Sequence, residues 1–409
     1  MNHIIQSHIA TVAQNHGTPC WVYDGDAIAH QVAKLQGFGT IRYAQKACSN
    51  ISILRLLKSQ GVKVDAVSEG EIIRALKAGY EPEKGEIVFT SDVLDRSTLN
   101  LVVAQKIEVN AGSLDMLRQI GEVSPGHRVW LRINPGFGHG HSHKTNTGGE
   151  NSKHGIWYSQ LDEAQTLLRA YDLHLVGLHV HIGSGADLDH LSKVCNVMEN
   201  LADQIDHPLE AISAGGGIPI CYQHSDEEFD LESYCSLWED TRKRIESKQN
   251  SKLRLEIEPG RFLVAAAGHL VTEVRATKFA GKNEYVLVDA GFNDLVRPAM
   301  YGCYHRISIV GSDGEPKLTE QVPMIVAGPL CESGDVFTVN ESHYVEARLL
   351  PRPKVGDYLV IHDAGAYGAS MSSNYNSRPL SPEILIEQGE SKLIRRRQTI
   401  YDLIDLEVI

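Results

Sequence analysis

Along the first two thirds of the chain, short apolar runs alternate with longer stretches whose apolar residues recur at three- and four-residue steps. The runs lie at 39–44, 62–67, 86–89, 107–110, 128–133, 174–181, 210–214 and 253–257. They are rich in Val, Ile and Leu with little polar alternation, the pattern of strands covered on both faces. The intervening helical patterns run over Ile51–Ser59, Glu69–Ala78, Leu94–Ala104, Ser113–Gly121, Gln160–Tyr171, Asp187–Gln204 and Tyr234–Ser247. Eight strands alternating with helices predict an α/β chain built on a (β/α)8 barrel over residues 25–269. A doubly wound open sheet fits less well, because no Gly-x-Gly-x-x-Gly follows the first strand.

After residue 269 strand-like runs come without long helical partners: Leu270–Thr277, Tyr285–Asp289, Met324–Ala327, Tyr358–Ile361 and Lys392–Arg396, punctuated by Gly and Pro. This predicts a C-terminal all-β domain, 270–409. Residues 1–24, a preamble ending in the apolar Pro19-Cys20-Trp21-Val22-Tyr23, are expected to complete it.

Composition narrows the class. A chain of 409 residues with 42% hydrophobic and 22% charged residues suits a two-domain soluble protein. The net charge of −13 and the absence of any basic run beyond Arg395-Arg396-Arg397 argue against a nucleic-acid surface. With no 18-residue apolar run, no membrane span is expected. The first residues lack the basic start and apolar core of a signal peptide. Seven scattered cysteines without a Cys-x-x-Cys pair predict a reducing, cytoplasmic setting.

In a barrel the active site lies at the carboxyl ends of the strands. Lys46 follows the first strand, His181 ends the sixth, Gly215-Gly216-Gly217 follows the seventh and Glu258-Pro259-Gly260-Arg261 the eighth. A lysine at a strand end is either solvated or held for chemistry, and its amine can form a Schiff base. Three glycines let backbone N–H groups approach an anion, and the loop after the seventh strand is a recurrent phosphate site; a plain tight turn is the other reading. Glu258 could pair a protonated ring nitrogen or stabilise a helix start. His181 could pack on a ring or be a core histidine. Together these elements fit pyridoxal 5'-phosphate (PLP), which needs a lysine, an anion cradle and a charged partner for its nitrogen. Asp65 and Arg132, on the second and fifth strands, could pair within the barrel. A rival reading takes His179 and His181, with His139, His141 and His143, as ligands of a hydrolytic metal. The arginine of the strand-8 motif opposes that reading, and no metal is expected.

The segments Tyr43-Ala44-Gln45-Lys46-Ala47-Cys48-Ser49-Asn50, His179-Val180-His181-Ile182-Gly183-Ser184-Gly185, Gly215-Gly216-Gly217, Glu258-Pro259-Gly260-Arg261, Cys331-Glu332-Ser333-Gly334-Asp335 and Gly365-Ala366-Tyr367-Gly368 resemble those of the alanine-racemase-like PLP-dependent amino-acid decarboxylases. The likeness runs in order over essentially the whole chain. Where many relatives read Leu-Lys-Ala-Asn, this chain has Gln45-Lys46-Ala47-Cys48. Asn134–Gly155 and Gly365–Pro379 resemble the members that convert meso-2,6-diaminopimelate to lysine and CO2 rather than those acting on ornithine or arginine. The resemblance implies that Lys46 binds the cofactor, His181 stacks on its ring and Glu258 holds its nitrogen. It places Ser184, Gly215, Gly216, Gly217 and Tyr367 around the phosphate. Arg261, Arg297 and Tyr301 would hold the far carboxylate of the substrate, with Tyr367 close by. It further implies a head-to-tail homodimer in which Cys331, as proton donor, and Glu332, facing the distal ammonium, reach the neighbouring subunit's site. Two arginines suit a carboxylate and a glutamate suits an ammonium, which agrees with a substrate carrying an amino-acid head at each end.

Overall fold

The computed structural model describes residues 3–138, 147–183, 188–223 and 225–408. Contacts divide the chain into two units, one of residues 31–219 and 228–262, the other of residues 1–30, 220–227 and 263–409.

The first unit is the expected barrel. Strands Thr40–Ala44, Lys63–Ala66, Ile87–Ser91, Glu108–Ala111, Arg128–Asn134, His174–Val180, Ala211–Ser213 and Arg254–Ile257 are parallel, each paired with the next. The last pairs with the first, Ile257 opposite Ile41, which closes the ring. The helices begin where short polar side chains cap them. Asn50 accepts from the Ser52 amide at 2.9 Å, Ser68 from Glu71 at 3.2 Å, Asp95 from Thr98 at 2.9 Å and Asp230 from Ser233 at 3.0 Å. Glu71 returns the contact by accepting from the Val67 amide at 2.8 Å.

The amino ends of the strands are tied by ion pairs. Arg128 donates to Glu108 at 2.9 Å and, through both terminal nitrogens, to Glu210 at 3.0 and 2.9 Å. Between the first and eighth strands a buried pair, Arg42–Glu256 at 2.9 Å, is almost fully excluded from solvent. Such a pair adds little net stability but is costly to break one side at a time. Asp65 and Arg132, whose strand positions left a pairing open, form no ion pair among the described residues. The field acting on Asp65 comes from Glu258 and Lys46, while Arg132 bears on His181 and Asp92.

The second unit holds a mixed sheet. Strand Cys20–Asp24 lies between Gly268–Ala280, antiparallel to it, and Glu383–Glu387, parallel to it. Asn283–Val288, Gln321–Ala327 and Arg348–Pro351 extend one side, Glu390–Arg395 the other; Ile307–Val310 and Tyr358–Ile361 pair off the main path. The preamble is more than a strand. His3–His16 is a helix whose Ile9, Ala10, Val12 and Ala13 are buried with Val22, Val271, Val360, Ile384 and Ile386. Among the described residues no helix is long and apolar enough to cross a membrane.

Candidate active site

In the barrel unit, Lys46 stands in a single tight turn, Gln45–Ala47, directly after the first strand. The turn is held from both sides. Tyr43 Oη donates to the Cys48 carbonyl at 3.0 Å, and the Ala44 amide donates to the Pro259 carbonyl beyond the eighth strand at 3.1 Å. Lys46 itself is exposed. Its charge reaches Asp65, Glu71 and His181.

The loops after the sixth, seventh and eighth strands come together around the three glycines. A Cβ at Gly215 would lie 2.5 Å from the Val180 carbonyl oxygen, at Gly216 2.5 Å from that of Glu258, and at Gly217 2.2 Å from that of Gly183. Gly215 and Gly217 also have φ of +62° and +110°. Any side chain there would push these loops apart, so glycine is required at the narrowest point. His181 flanks the cradle: its Cε1 is 3.5 Å from a Cβ built at Gly217. Burial, then the charges of Arg132 and Lys46, hold this imidazole well below its ordinary pKa, and it is neutral.

Glu258 is held at both oxygens. His179 Nε2 donates to Oε2 at 2.8 Å and Ser213 Oγ to Oε1 at 3.1 Å. The Gly215 amide in turn donates to Ser213 Oγ at 3.2 Å. Burial by itself would raise the carboxyl, but His179, then Arg42, more than reverse this and hold it well below the ordinary carboxylate range. Asp65 goes the other way. Burial, then the neighbouring Glu258 charge, pushes it up to about 8 against the pull of Lys46 and a Thr90 hydrogen bond. The two neighbouring carboxyls are thus pushed in opposite directions, Glu258 toward its ionised form and Asp65 toward its protonated form. Arg261 opens the short helix Arg261–Val264 and is half-buried.

The second unit carries the other expected residues. Arg297 begins the one-turn helix Arg297–Tyr301, which Gly302 ends at φ +63°, turning Cys303 back toward it. The guanidinium is 3% exposed. It donates to Tyr222 Oη at 2.8 Å, to Cys303 Sγ at 3.2 Å and to the Ala366 carbonyl at 3.5 Å, and lies 5.2 Å from the centre of the Tyr222 ring. Among the described residues no carboxylate pairs with it. Tyr301 is half-buried; Tyr367, also half-buried, holds a left-handed backbone at φ +57°. Cys331 and Glu332 are exposed on a loop pinned by Asp335, whose carboxylate accepts from the Phe292 and Leu330 amides at 2.8 and 2.7 Å. Asn376 Oδ1 accepts from the Cys331 amide at 2.9 Å, and Tyr375 Oη donates to Glu332 at 2.8 Å.

The barrel unit therefore brings together Lys46, His181, Gly215, Gly216, Gly217, Glu258 and Arg261; Arg297, Tyr301, Cys331, Glu332 and Tyr367 belong to the other unit. Ser184, His139, His141 and His143 lie outside the described residues. Four neighbours escaped the sequence reading in these roles. His179 and Ser213 had a signal, since they alternate with His181 and Gly215 on strand ends. Tyr222 and Cys303 had none, because only the folded chain brings them to Arg297.

Residues 26–265 match the family model of the pyridoxal-dependent decarboxylases, in its pyridoxal binding domain. Diaminopimelate decarboxylase of Escherichia coli strain K12 is 59% identical over 396 residues, spanning 96% of this chain and 94% of that protein. A crystal structure of a diaminopimelate decarboxylase superposes with a TM-score of 0.96 at 57% identity, covering 98% of this chain and 96% of that one. The Helicobacter pylori diaminopimelate decarboxylase, complexed with L-lysine, gives a TM-score of 0.85 at 32% identity over 97% of this chain and 98% of that one. With a matched cofactor-binding domain and relatives this similar over nearly their full length, the chain belongs to the pyridoxal-dependent decarboxylases, in the diaminopimelate decarboxylase family.

Proposed function

We propose that this chain decarboxylates meso-2,6-diaminopimelate to L-lysine and CO2, with pyridoxal 5'-phosphate as its cofactor. The observation that carries the substrate is Arg297: a buried guanidinium with no carboxylate among its described partners. A buried cation is tolerated when an anion completes it, and a planar fork suits a carboxylate. Diaminopimelate retains a carboxylate at the end that does not react; lysine, ornithine and arginine have none there.

The residues fit the cofactor. The glycine cradle is too tight for any Cβ and suits a phosphate approached by backbone amides. Glu258 is ionised as a ring-nitrogen partner must be, and neutral His181 offers a flat face beside the cradle. When bound, pyridoxal phosphate supplies the electron sink for the pair left as the bond to the departing carboxylate breaks. Lys46, exposed at the end of the first strand, would hold its aldehyde carbon covalently; Ser184 and Tyr367 would join Gly215, Gly216 and Gly217 at the phosphate.

The chain's own residues then divide the work. Arg297, with Arg261, Tyr301 and Tyr367, holds the distal carboxylate and so selects which end reacts. Glu332 meets the distal ammonium. Cys331 delivers a proton from Sγ to the α-carbon after CO2 leaves, which replaces the broken carbon–carbon bond by carbon–hydrogen. Cys331 and Glu332 lie exposed on their loop, and we assign them to the neighbouring site of a homodimer. Seven free cysteines favour a reducing cytoplasm. CO2 release measured on meso-diaminopimelate, its L,L isomer, lysine, ornithine and arginine tests the assignment. Turnover confined to the meso isomer is expected; faster release from ornithine or arginine would overturn it.

A further inference from the structure

His179 is a histidine the decarboxylation scheme above does not use. It is 1% exposed, on the sixth barrel strand two residues before His181. Its Nε2 lies 2.8 Å from Glu258 Oε2, while its Nδ1 is buried with no described partner. As Glu258 is an acceptor, the proton of this hydrogen bond belongs to Nε2. Ser213, from the adjacent seventh strand, occupies the other carboxylate oxygen.

We propose that His179, seconded by Ser213, is a positioning residue that fixes the Glu258 carboxylate in one orientation and in its ionised form, as acceptor for the cofactor's ring N–H. The proposal rests on the assignment of Glu258 to that nitrogen. Each carboxylate oxygen accepts more than one hydrogen bond. With one donor on each side, the rotation of the group is locked and lone pairs remain for the ring. Donors to the charged form favour it, whereas burial favours the neutral acid. Without them, Glu258 would be a desolvated carboxyl next to Asp65, with Arg42, His181 and Lys46 as the remaining charged or titratable neighbours. A neutral carboxyl keeps its proton and donates a hydrogen bond to the ring nitrogen instead of accepting one, and the ring is then left uncharged. Loss of one hydrogen bond to a charged group is expected to lower turnover about 10- to 100-fold.

In this arrangement the two histidines of the His-x-His pattern are divided between separate roles. The two rings have different work, and the Nε2 position of His179 is taken by Glu258.

The test uses holoenzyme reconstituted with pyridoxal phosphate carrying 15N in its ring. In the wild type the ring-nitrogen resonance is expected at its protonated position. His179→Asn, whose amide is too short to reach Oε2, should move it toward the unprotonated position and lower kcat with KM little changed. His179→Gln, whose amide reaches, should restore both. Ser213→Ala should shift the resonance in the same direction as His179→Asn by a smaller amount, and it serves if the asparagine variant does not fold. Glu258→Gln, run in parallel, tests the underlying assignment. A resonance that stays protonated in Glu258→Gln removes Glu258 from the nitrogen, and the proposal with it. A resonance that moves in Glu258→Gln but stays protonated in every folded variant lacking a donor overturns the proposal alone.

Discussion

Lys46 and Arg297, both cations assigned above to the reaction, have sharply different surroundings. Lys46 is exposed on a tight turn and contributes nothing to the core. Lys46→Ala should therefore fold normally yet lose turnover and the visible absorption of bound pyridoxal phosphate together. An active, coloured variant would place the covalent bond elsewhere. Arg297 is 3% exposed, with its fork spread over Tyr222, Cys303 and a carbonyl. Truncating one partner of a buried charge pair costs about 2–5 kcal/mol, so Arg297→Ala should raise KM for diaminopimelate by at least about 30-fold. Steady-state kinetics read this directly, and an unchanged KM would move the distal carboxylate to another residue. The two differ in legibility too. Lys46 can be read from the chain because strand order alone brings it to the catalytic end. The shell of Arg297 cannot, because Tyr222 and Cys303 lie 75 and 6 residues away and neither carries a local signal.

At the scale of elements, the barrel strands and helices are visible because each is apolar on the side it buries over a full repeat. The helix His3–His16 hides because two of its buried residues, Ala10 and Ala13, carry weak hydrophobic contrast. Strands Ile307–Val310 and Glu383–Glu387 hide because they are four and five residues long, too short for periodicity alone to mark them. One pair of strands predicts its own pH response. His269, on Gly268–Ala280, and His362, just after Tyr358–Ile361, meet edge to face at 5.1 Å. Burial, then the charge of Arg306 among others, brings His269 down to about 3; burial, then His269 and Arg306, lowers His362 as well. Both are neutral when folded but take up protons below about 6.5 when unfolded. The unfolded state then binds more protons, so stability falls as pH drops from about 6.5 toward 3. Denaturant midpoints at pH 7.5 and 5 should show this loss, and His269→Gln should flatten it by up to about 1.4 kcal/mol per pH unit. An unchanged slope in the variant would mean that His269 is already charged in the fold.

For the whole molecule the decisive question is whether one chain suffices. If Cys331 serves the partner's site, Lys46→Ala and Cys331→Ala homodimers are both inactive. Subunit exchange between them builds heterodimers with one intact site and one doubly damaged site. A statistical mixture is half heterodimer, so activity should recover to about a quarter of wild type. If exchange is demonstrated by mass and activity stays at background, the site is complete within one chain. A further consequence concerns the order in which the chain becomes structured as it leaves the ribosome. Strand Cys20–Asp24 has one neighbour at Gly268–Ala280 and the other at Glu383–Glu387. Its second partner is made last, after the entire barrel sequence has been synthesised. Among the described residues the barrel's strands pair only among themselves, so that unit can close while the first strand waits, apolar and unpaired, for Gly268–Ala280. Long-range pairing of this kind is slow and leaves an open edge exposed in the meantime. Chains arrested before residue 268 should therefore give a protease-resistant barrel with a cleavable amino-terminal segment, and release of the full chain should protect that segment.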